Sequence, residues 1–245
     1  PNRQCIHQIF EKVAAEDPSR IAFTHKGVDV SYGELNSRAN RLARLLLSEG
    51  VSPGQFVGVC MERSLELVIS FIAVLKTGAA YVPLYPSDLA VRIASQVEGA
   101  GVKLALTKRV YDSMIPPSAK KLYIHSAMGE AESLDGDDIR ASLSLESPAY
   151  VLFVPGPDGR QRGVCVPHRA VVGLVVEADY ISVVRDDAVA FQSSPNTNLA
   201  AWEIWAALLN GARLVMFALD TILSPKRFAK RLVDDCVTTL GLNTP

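Results

Sequence analysis

The sequence predicts an α/β fold in which parallel sheets are flanked by helices, and three observations predict it. Short apolar runs such as FVGVC (56–60), AAYVPL (79–84) and RLVMF (213–217) recur along the chain. Between them lie segments whose apolar residues fall at helical spacing, so strand and helix alternate. The strand runs are apolar throughout, which is the pattern of strands covered on both faces, as in a parallel sheet.

In chain order, Ile6, Ile9, Phe10, Val13 and Ala14 are spaced as one helical face, and Asp17-Pro18 stops that helix. IAFTHKGVDVSY (21–32) reads as a hairpin turning near Lys26-Gly27. Ser31 stands three residues before Glu34, a capping box, so a helix starts there and runs to a Gly50 stop with Leu35, Ala39, Leu42, Ala43 and Leu46 buried. FVGVC, the helix SLELVISFIAVLKTG and AAYVPL form a strand-helix-strand unit, for which a right-handed parallel crossover is the default. A helix over 90–99, a strand KLALT (103–107) and a strand KLYIH (121–125) follow. The acidic, small-residue stretch between Ser126 and Ser147 reads as a solvated loop. Beyond it come strand GVCVPH (163–168), helix RAVVGLVVEADY, strand AVAFQSS, helix LAAWEIWAALLNGA, strand RLVMF and a helix from Ser224 with proline at its first position. VTTLGL (237–242) begins one more strand, so the pattern stops in mid-alternation and a second sheet is expected to be incomplete. Residues from about 50 to 190 are expected to form one set of layers. Residues 1–50 and 190–245 would form part of a second.

Composition narrows the function. The 245 residues are 49% hydrophobic with a formal net charge of -1, and the basic residues are scattered, so neither a nucleic-acid surface nor a membrane partner is expected. Cys5, Cys60, Cys165 and Cys236 lack the paired spacing that zinc or a redox site needs and read as reduced core residues. No apolar run free of charge reaches about 18 residues and no signal peptide is evident, so the expected location is cytoplasmic.

The stretch that carries chemistry is PAYVLFVPGPDGRQRG (148–163). An apolar run fit for a buried strand leads into a loop with Gly156, Gly159 and Gly163 and with Arg160 and Arg162. Glycines let the backbone approach an anion and aim N–H groups at it, while guanidinium groups add charge-assisted bonds. Against this, Pro155 and Pro157 have no N–H and the loop has no hydroxyl, so a Gly/Pro-rich surface turn with solvated arginines remains an alternative reading. His168, at a strand-to-helix junction, reads either as facing such a site or as satisfied by backbone. Trp202 and Trp205 read as core anchors of their helix before any stacking role.

Four segments together carry a family likeness. VSYGELNSRANRLA, LKTGAAYVPLYP, AYVLFVPGPDGRQRG and AAWEIWAALLNGARLV stand in the order of the core motifs of nonribosomal peptide synthetase adenylation domains, in the acyl-adenylate-forming superfamily. From Cys5 to Pro245 the chain resembles the N-terminal part of such a domain. For a complete member the resemblance implies an ATP- and magnesium-dependent ligase that joins an acid to AMP and passes the acyl group to a carrier domain. It also implies condensation and carrier domains as neighbours, and the absence here of the C-terminal lid with its catalytic lysine.

This chain departs from the family pattern at both ends of the site. The family's hydroxyl-rich loop reads Val154-Pro155-Gly156-Pro157-Asp158-Gly159 followed by Arg160-Gln161-Arg162-Gly163, with two N–H donors lost and a carboxylate added. Each charge-assisted hydrogen bond contributes roughly 1.5 to 3 kcal/mol, so losing two or three weakens ATP binding by orders of magnitude. Aligned on Trp202, the aspartate that implies a grip on a substrate ammonium becomes Asn198, which can accept a hydrogen bond but cannot neutralise a cation. A substrate without an amino group could tolerate that change. The expectation is therefore a catalytically inactive adenylation-like domain with no bound cofactor, acting as a structural or docking module beside condensation and carrier domains. An exposed sheet edge would be covered by a neighbour, a rearrangement or a homodimer contact. The alternatives are a fragment of an active amino or aryl acid ligase, and a phosphate sensor using Arg160 and Arg162 without turnover.

Overall fold

The computed structural model describes residues 4–139, 143–157 and 160–242. Helix α1 (Ile6–Glu16) buries Ile6, Ile9, Phe10 and Ala14 and ends before Asp17-Pro18. Strands β1 (Ile21–His25) and β2 (Val28–Ser31) form the expected hairpin, turning on Lys26 and Gly27, which both have positive φ as a tight two-residue turn demands. In α2 (Tyr32–Ser48) the Ser31 hydroxyl accepts the Glu34 N–H at 3.2 Å, while the Glu34 carboxylate pairs with Arg38 along the helix face.

Strand β3 (Phe56–Cys60), helix α3 (Leu65–Lys76), β4 (Ala80–Leu84), α4 (Ala90–Gly99), β5 (Leu104–Thr107), a 3-10 turn at Arg109–Met114 and β6 (Lys120–Tyr123) follow the expected alternation. Next come α5 (Ile124–Ala131), β7 (Pro148–Pro155), β8 (Gln161–Pro167), α6 (His168–Val175), β9 (Ala188–Phe191), α7 (Asn198–Leu209), β10 (Arg213–Met216), the single turn α8 (Leu219–Ile222) and α9 (Pro225–Asp234). Two sheets result. The six-stranded sheet has the order β6-β5-β3-β4-β7-β8 and the four-stranded sheet the order β2-β1-β10-β9. All neighbours are parallel except two edge hairpin strands, β8 on β7 and β2 on β1. The sheets are therefore mixed at their margins and parallel inside.

One core joins both sheets. It contains Val57 and Tyr81 from the larger sheet, Phe191 and Leu214 from the smaller, and the inward faces of α1, α2, α3 and α7. Helix α3 is buried around nearly its whole circumference, which is why its sequence reads as apolar rather than amphipathic. Its last residue, Lys76, is fully buried, and its ammonium pairs with Glu11 of α1 and, at 3.2 Å, with Asp138.

Three expectations need correction. Of the four cysteines read as core residues only Cys5 and Cys60 are buried, while Cys165 on the edge strand β8 and Cys236 after α9 are exposed. The region from Ser126 to Ser147 is not simply a solvated loop, because α5 occupies its start and the acidic segment after it is strapped onto α2. Arg41 donates to Leu134 C=O at 3.2 Å, Asn40 to Gly136 C=O at 2.7 Å, Arg44 to the Asp135 carboxylate at 3.0 Å and Asn36 to Asp138 at 2.8 Å. The cations and amides of α2 lie some ninety residues earlier in the chain, so a local reading sees only unpaired acids. At the other end, VTTLGL forms an isolated bridge rather than a full strand: Thr239 lies parallel to Val189, and the Ala190 N–H donates to Thr239 C=O at 2.9 Å.

Candidate functional site

Parallel strands with helical crossovers leave loops at their C-terminal ends, where ligands of open α/β sheets are held. The loops after β4 and β9 meet this description, and the tip of the β7–β8 hairpin lies at the C-terminal end of β7, which is parallel to β4; the hairpin and the loop after β9 carry the residues singled out in the sequence.

The glycine-rich stretch is a long hairpin. Strand pairing between β7 and β8 runs from Pro148–Pro167 to Pro155–Gln161, so Arg162 and Gly163 lie within β8 and only residues 156–160 connect the strands. At the tip the Gly156 N–H donates to the Arg160 C=O at 2.7 Å. That N–H is therefore committed to the hairpin itself, and Pro155 and Pro157 on either side have none. Gly159, with Asp158, lies outside the described residues. Arg160 and Arg162 are exposed. Gly163 has a packing role that needs no phosphate: it faces Phe153 across the strands, and a Cβ there would come within 3.2 Å of Val151 and 3.4 Å of the Phe153 ring. Gln161 fixes the base of the turn through a 2.7 Å bond from the Gln96 amide of α4.

The second cluster surrounds the start of α7. Thr197 caps the helix by accepting the Ala200 N–H at 3.2 Å, and Asn198 is its exposed first residue. Asn196 just before it donates to Asp88 at 3.3 Å, and Asp88 also pairs with Arg92 at 3.5 Å. The turn after β4 is thereby tied to the turn after β9. Trp202 is half-buried against the core, whereas Trp205 is fully buried and donates its indole N–H to the Tyr81 hydroxyl at 2.9 Å. Both tryptophans are core anchors in this structure.

Sequence reasoning missed two residues here. Arg63, buried just beyond β3, donates to Phe217 C=O at 3.1 Å and Ser193 C=O at 3.2 Å, joining the larger sheet to the ends of β10 and β9. Glu203 is fully buried and accepts from Gln192 N–H at 3.3 Å, Ser193 N–H at 3.1 Å and the Ser193 hydroxyl at 2.9 Å. Burial pushes its carboxyl up, those bonds and the Arg63 charge pull it partly back, and it stands at about 7. The signal for Glu203 was present as a single carboxylate in the apolar run AAWEIWAALL.

His168 belongs to neither cluster. It is buried at the start of α6, and its Nδ1 accepts the Ile6 N–H at 3.3 Å. Its ring meets that of the buried His7 edge-on, with centroids 5.8 Å apart. A cavity of about 490 Å³ is lined by Arg63 together with Phe23, His25, Val30, Leu65 and Met216, and by no residue of the β7–β8 hairpin or of α7. Among the described residues no group of three or more His, Cys, Asp or Glu side chains is arranged to hold a metal, and no helix is long and apolar enough to cross a membrane.

Among the described residues, the hairpin tip offers few outward donors to a phosphate. A phosphate cradle needs successive N–H groups turned outward. Here two are absent and a third is spent on the Arg160 carbonyl.

Comparison with known proteins gives the setting. The profile of the family described as AMP-binding enzyme matches residues 10–244. Surfactin synthase subunit 2 of Bacillus subtilis (strain 168) is 33% identical over 248 residues, covering 100% of this chain and 7% of that protein. The dimodular nonribosomal peptide synthase of the same organism is 37% identical over 251 residues, covering 97% of this chain and 10% of that protein. This chain thus spans a small fraction of the length of these relatives. Among solved structures, the Klebsiella oxytoca NpsA N-terminal subdomain in complex with 3-hydroxybenzoyl-AMSN superposes with a TM-score of 0.88 at 24% identity, over 98% of this chain and 60% of that one. The nonribosomal peptide synthetase FmoA3 (S1046A) gives a TM-score of 0.87 at 25% identity, over 97% of this chain and 25% of that one.

Proposed function

The chain belongs to the AMP-binding enzyme family, as the N-terminal portion of a nonribosomal peptide synthetase adenylation domain, and from that premise we propose that its nucleotide site is catalytically silent. The observation that carries the proposal is the closed hairpin tip, in which the Gly156 N–H is bonded to Arg160 C=O between two prolines. An adenylation domain that cannot hold the phosphates of ATP keeps its value as a rigid body. The function we assign is structural: the two-sheet core spaces and positions condensation and carrier domains of a larger synthetase. Its proposed location is cytoplasmic.

Transplanting the hairpin tests this without requiring a whole synthetase of this chain. Residues 154–163 are placed in the equivalent loop of an active adenylation domain, and ATP–pyrophosphate exchange is measured. The proposal expects exchange to fall by at least a hundredfold, since two or three charge-assisted bonds are lost. Exchange within a few-fold of the parent would refute it.

A second reading is favoured by Asn198. The first turn of α7 carries no carboxylate, so an adenylation domain built on it would suit an acid that lacks an α-ammonium. Pyrophosphate exchange with aryl acids but not with α-amino acids would support this reading in place of the first.

A further inference from the structure

The segment 192–197 is the hub of the candidate site. It leaves β9, crosses to the larger sheet through the Arg63 bond to Ser193 C=O and the Asn196 bond to Asp88, and then delivers Thr197 and Asn198 to the start of α7. From below, a single side chain grips it. One Glu203 oxygen accepts both the Gln192 and the Ser193 N–H, and the other lies 2.9 Å from the Ser193 hydroxyl.

Glu203 has no exposed surface and no ion pair among the described residues. The one charged group that faces it is Arg63, from the turn after β3, with Tyr85 beside that arginine. Yet the Arg63 guanidinium is spent on the carbonyls of Phe217 and Ser193 and donates nothing to the carboxylate. The other partners, Gln192 and Ser193, do not titrate. A fully buried carboxylate without a bonded cation is costly, whereas the neutral acid can keep every contact: one oxygen accepts the two N–H groups, and on the other the acid O–H takes over as donor once the Ser193 hydroxyl, which donates to it in the structure, rotates to accept.

We infer that Glu203 is a positioning residue that works as a proton-held latch, pinning segment 192–197 while it is a neutral acid and loosening that segment when it ionises. The latch sits under the start of α7 whatever the hairpin binds, so it stands independently of the silent-site reading. The sign follows from linkage. With a carboxyl near 7 in the closed segment and near its ordinary value in the open one, opening becomes about tenfold more favourable between pH 6 and pH 8.

Hydrogen exchange of the 245-residue chain tests this, with protection factors for residues 192–198 referred to intrinsic rates at each pH. The latch predicts protection that falls about tenfold from pH 6 to pH 8 in the unsubstituted chain and changes less than twofold in Glu203→Gln, which keeps a neutral side chain of the same shape. Protection that is flat with pH in the unsubstituted chain, or that falls equally in the variant, would overturn the inference. Should Glu203→Gln fail to fold, the infrared spectrum of the unsubstituted chain decides. A protonated carboxyl band present at pH 6 and gone by pH 8 is the expected result, and its absence at pH 6 refutes the latch.

Discussion

Replacing Tyr81 by phenylalanine removes one oxygen atom from a place where that atom has a single task. Tyr81 of β4 is fully buried, stacks on Phe71 with ring centroids 4.0 Å apart, and accepts the indole N–H of Trp205 at 2.9 Å. Phenylalanine keeps the stack and the ring volume, so the cavity left is that of one hydroxyl. The cost arises on the other side, where the Trp205 N–H is left buried without an acceptor. An orphaned neutral donor costs about 1 to 3 kcal/mol, and for a chain of this size about 2 kcal/mol lowers the melting temperature by roughly 4 to 8 °C. Urea unfolding followed by tryptophan fluorescence measures it, and a cycle with Trp205→Phe isolates the bond. The double variant should be more stable than the two single losses added together, by about 1 kcal/mol or more. A Tyr81→Phe change within 0.5 kcal/mol of the unsubstituted chain, with no coupling to position 205, would refute the claim that this bond ties α7 to the larger sheet.

Other perturbations follow from the same contacts. Burial holds His7 down at about 3, helped by the charge of a protonated His168 beside it, and burial holds His168 at about 4. Because the unfolded chain binds protons below about pH 6.5 that these rings refuse, the stability they permit is present above that pH and is lost as pH falls toward the folded values. Each ring should cost about 2 kcal/mol between pH 7.5 and pH 5. Glu203 titrates in the opposite sense, so the check is a difference: His7→Leu should reduce the loss over that range by about 2 kcal/mol, and an unchanged loss contradicts a buried neutral imidazole. Glu11→Ala leaves the fully buried Lys76 with Asp138 alone, and because one anion remains, denaturant unfolding should show a loss of about 1.5 to 3 kcal/mol rather than that of a wholly unpaired buried charge. Gly163→Ala places a Cβ about 3.2 Å from Val151 and 3.4 Å from the Phe153 ring, so its unfolding free energy measured in urea reads whether those side chains can give: a loss shows that the glycine is required by the packing, and a neutral result or a gain shows that it is not.

The fold was legible where local pattern and tertiary role agree. Ser31 before an apolar stripe, Asp17-Pro18 after one, and fully apolar strand runs each have a local cause, and the structure places helices and strands there. It was illegible where the deciding partner is far away in sequence. The acidic residues after α5 became a strap because Asn36, Asn40, Arg41 and Arg44 await them on α2, and Lys76 is buried only because Glu11 and Asp138 converge on it. At the candidate site, Gly156 and the two prolines could be read for the donors they supply, but the bond from Gly156 to Arg160 appears only once the strands are paired to the tip. Arg63 and Glu203 escaped notice for a related reason. Their partners are mostly backbone groups, and backbone groups leave no mark in a sequence.

The central claim is that the hairpin tip cannot hold the phosphates of ATP, and calorimetric titration with ATP and magnesium tests it most directly. The 245-residue chain is compared with a variant carrying Pro155→Ser, Pro157→Ser and Asp158→Thr, which restores N–H donors and hydroxyls and removes a carboxylate. With two or three charge-assisted bonds at stake, the variant should bind at least about a hundredfold more tightly than the unsubstituted chain, which should show no binding at micromolar ATP. Micromolar binding by the unsubstituted chain would contradict the account.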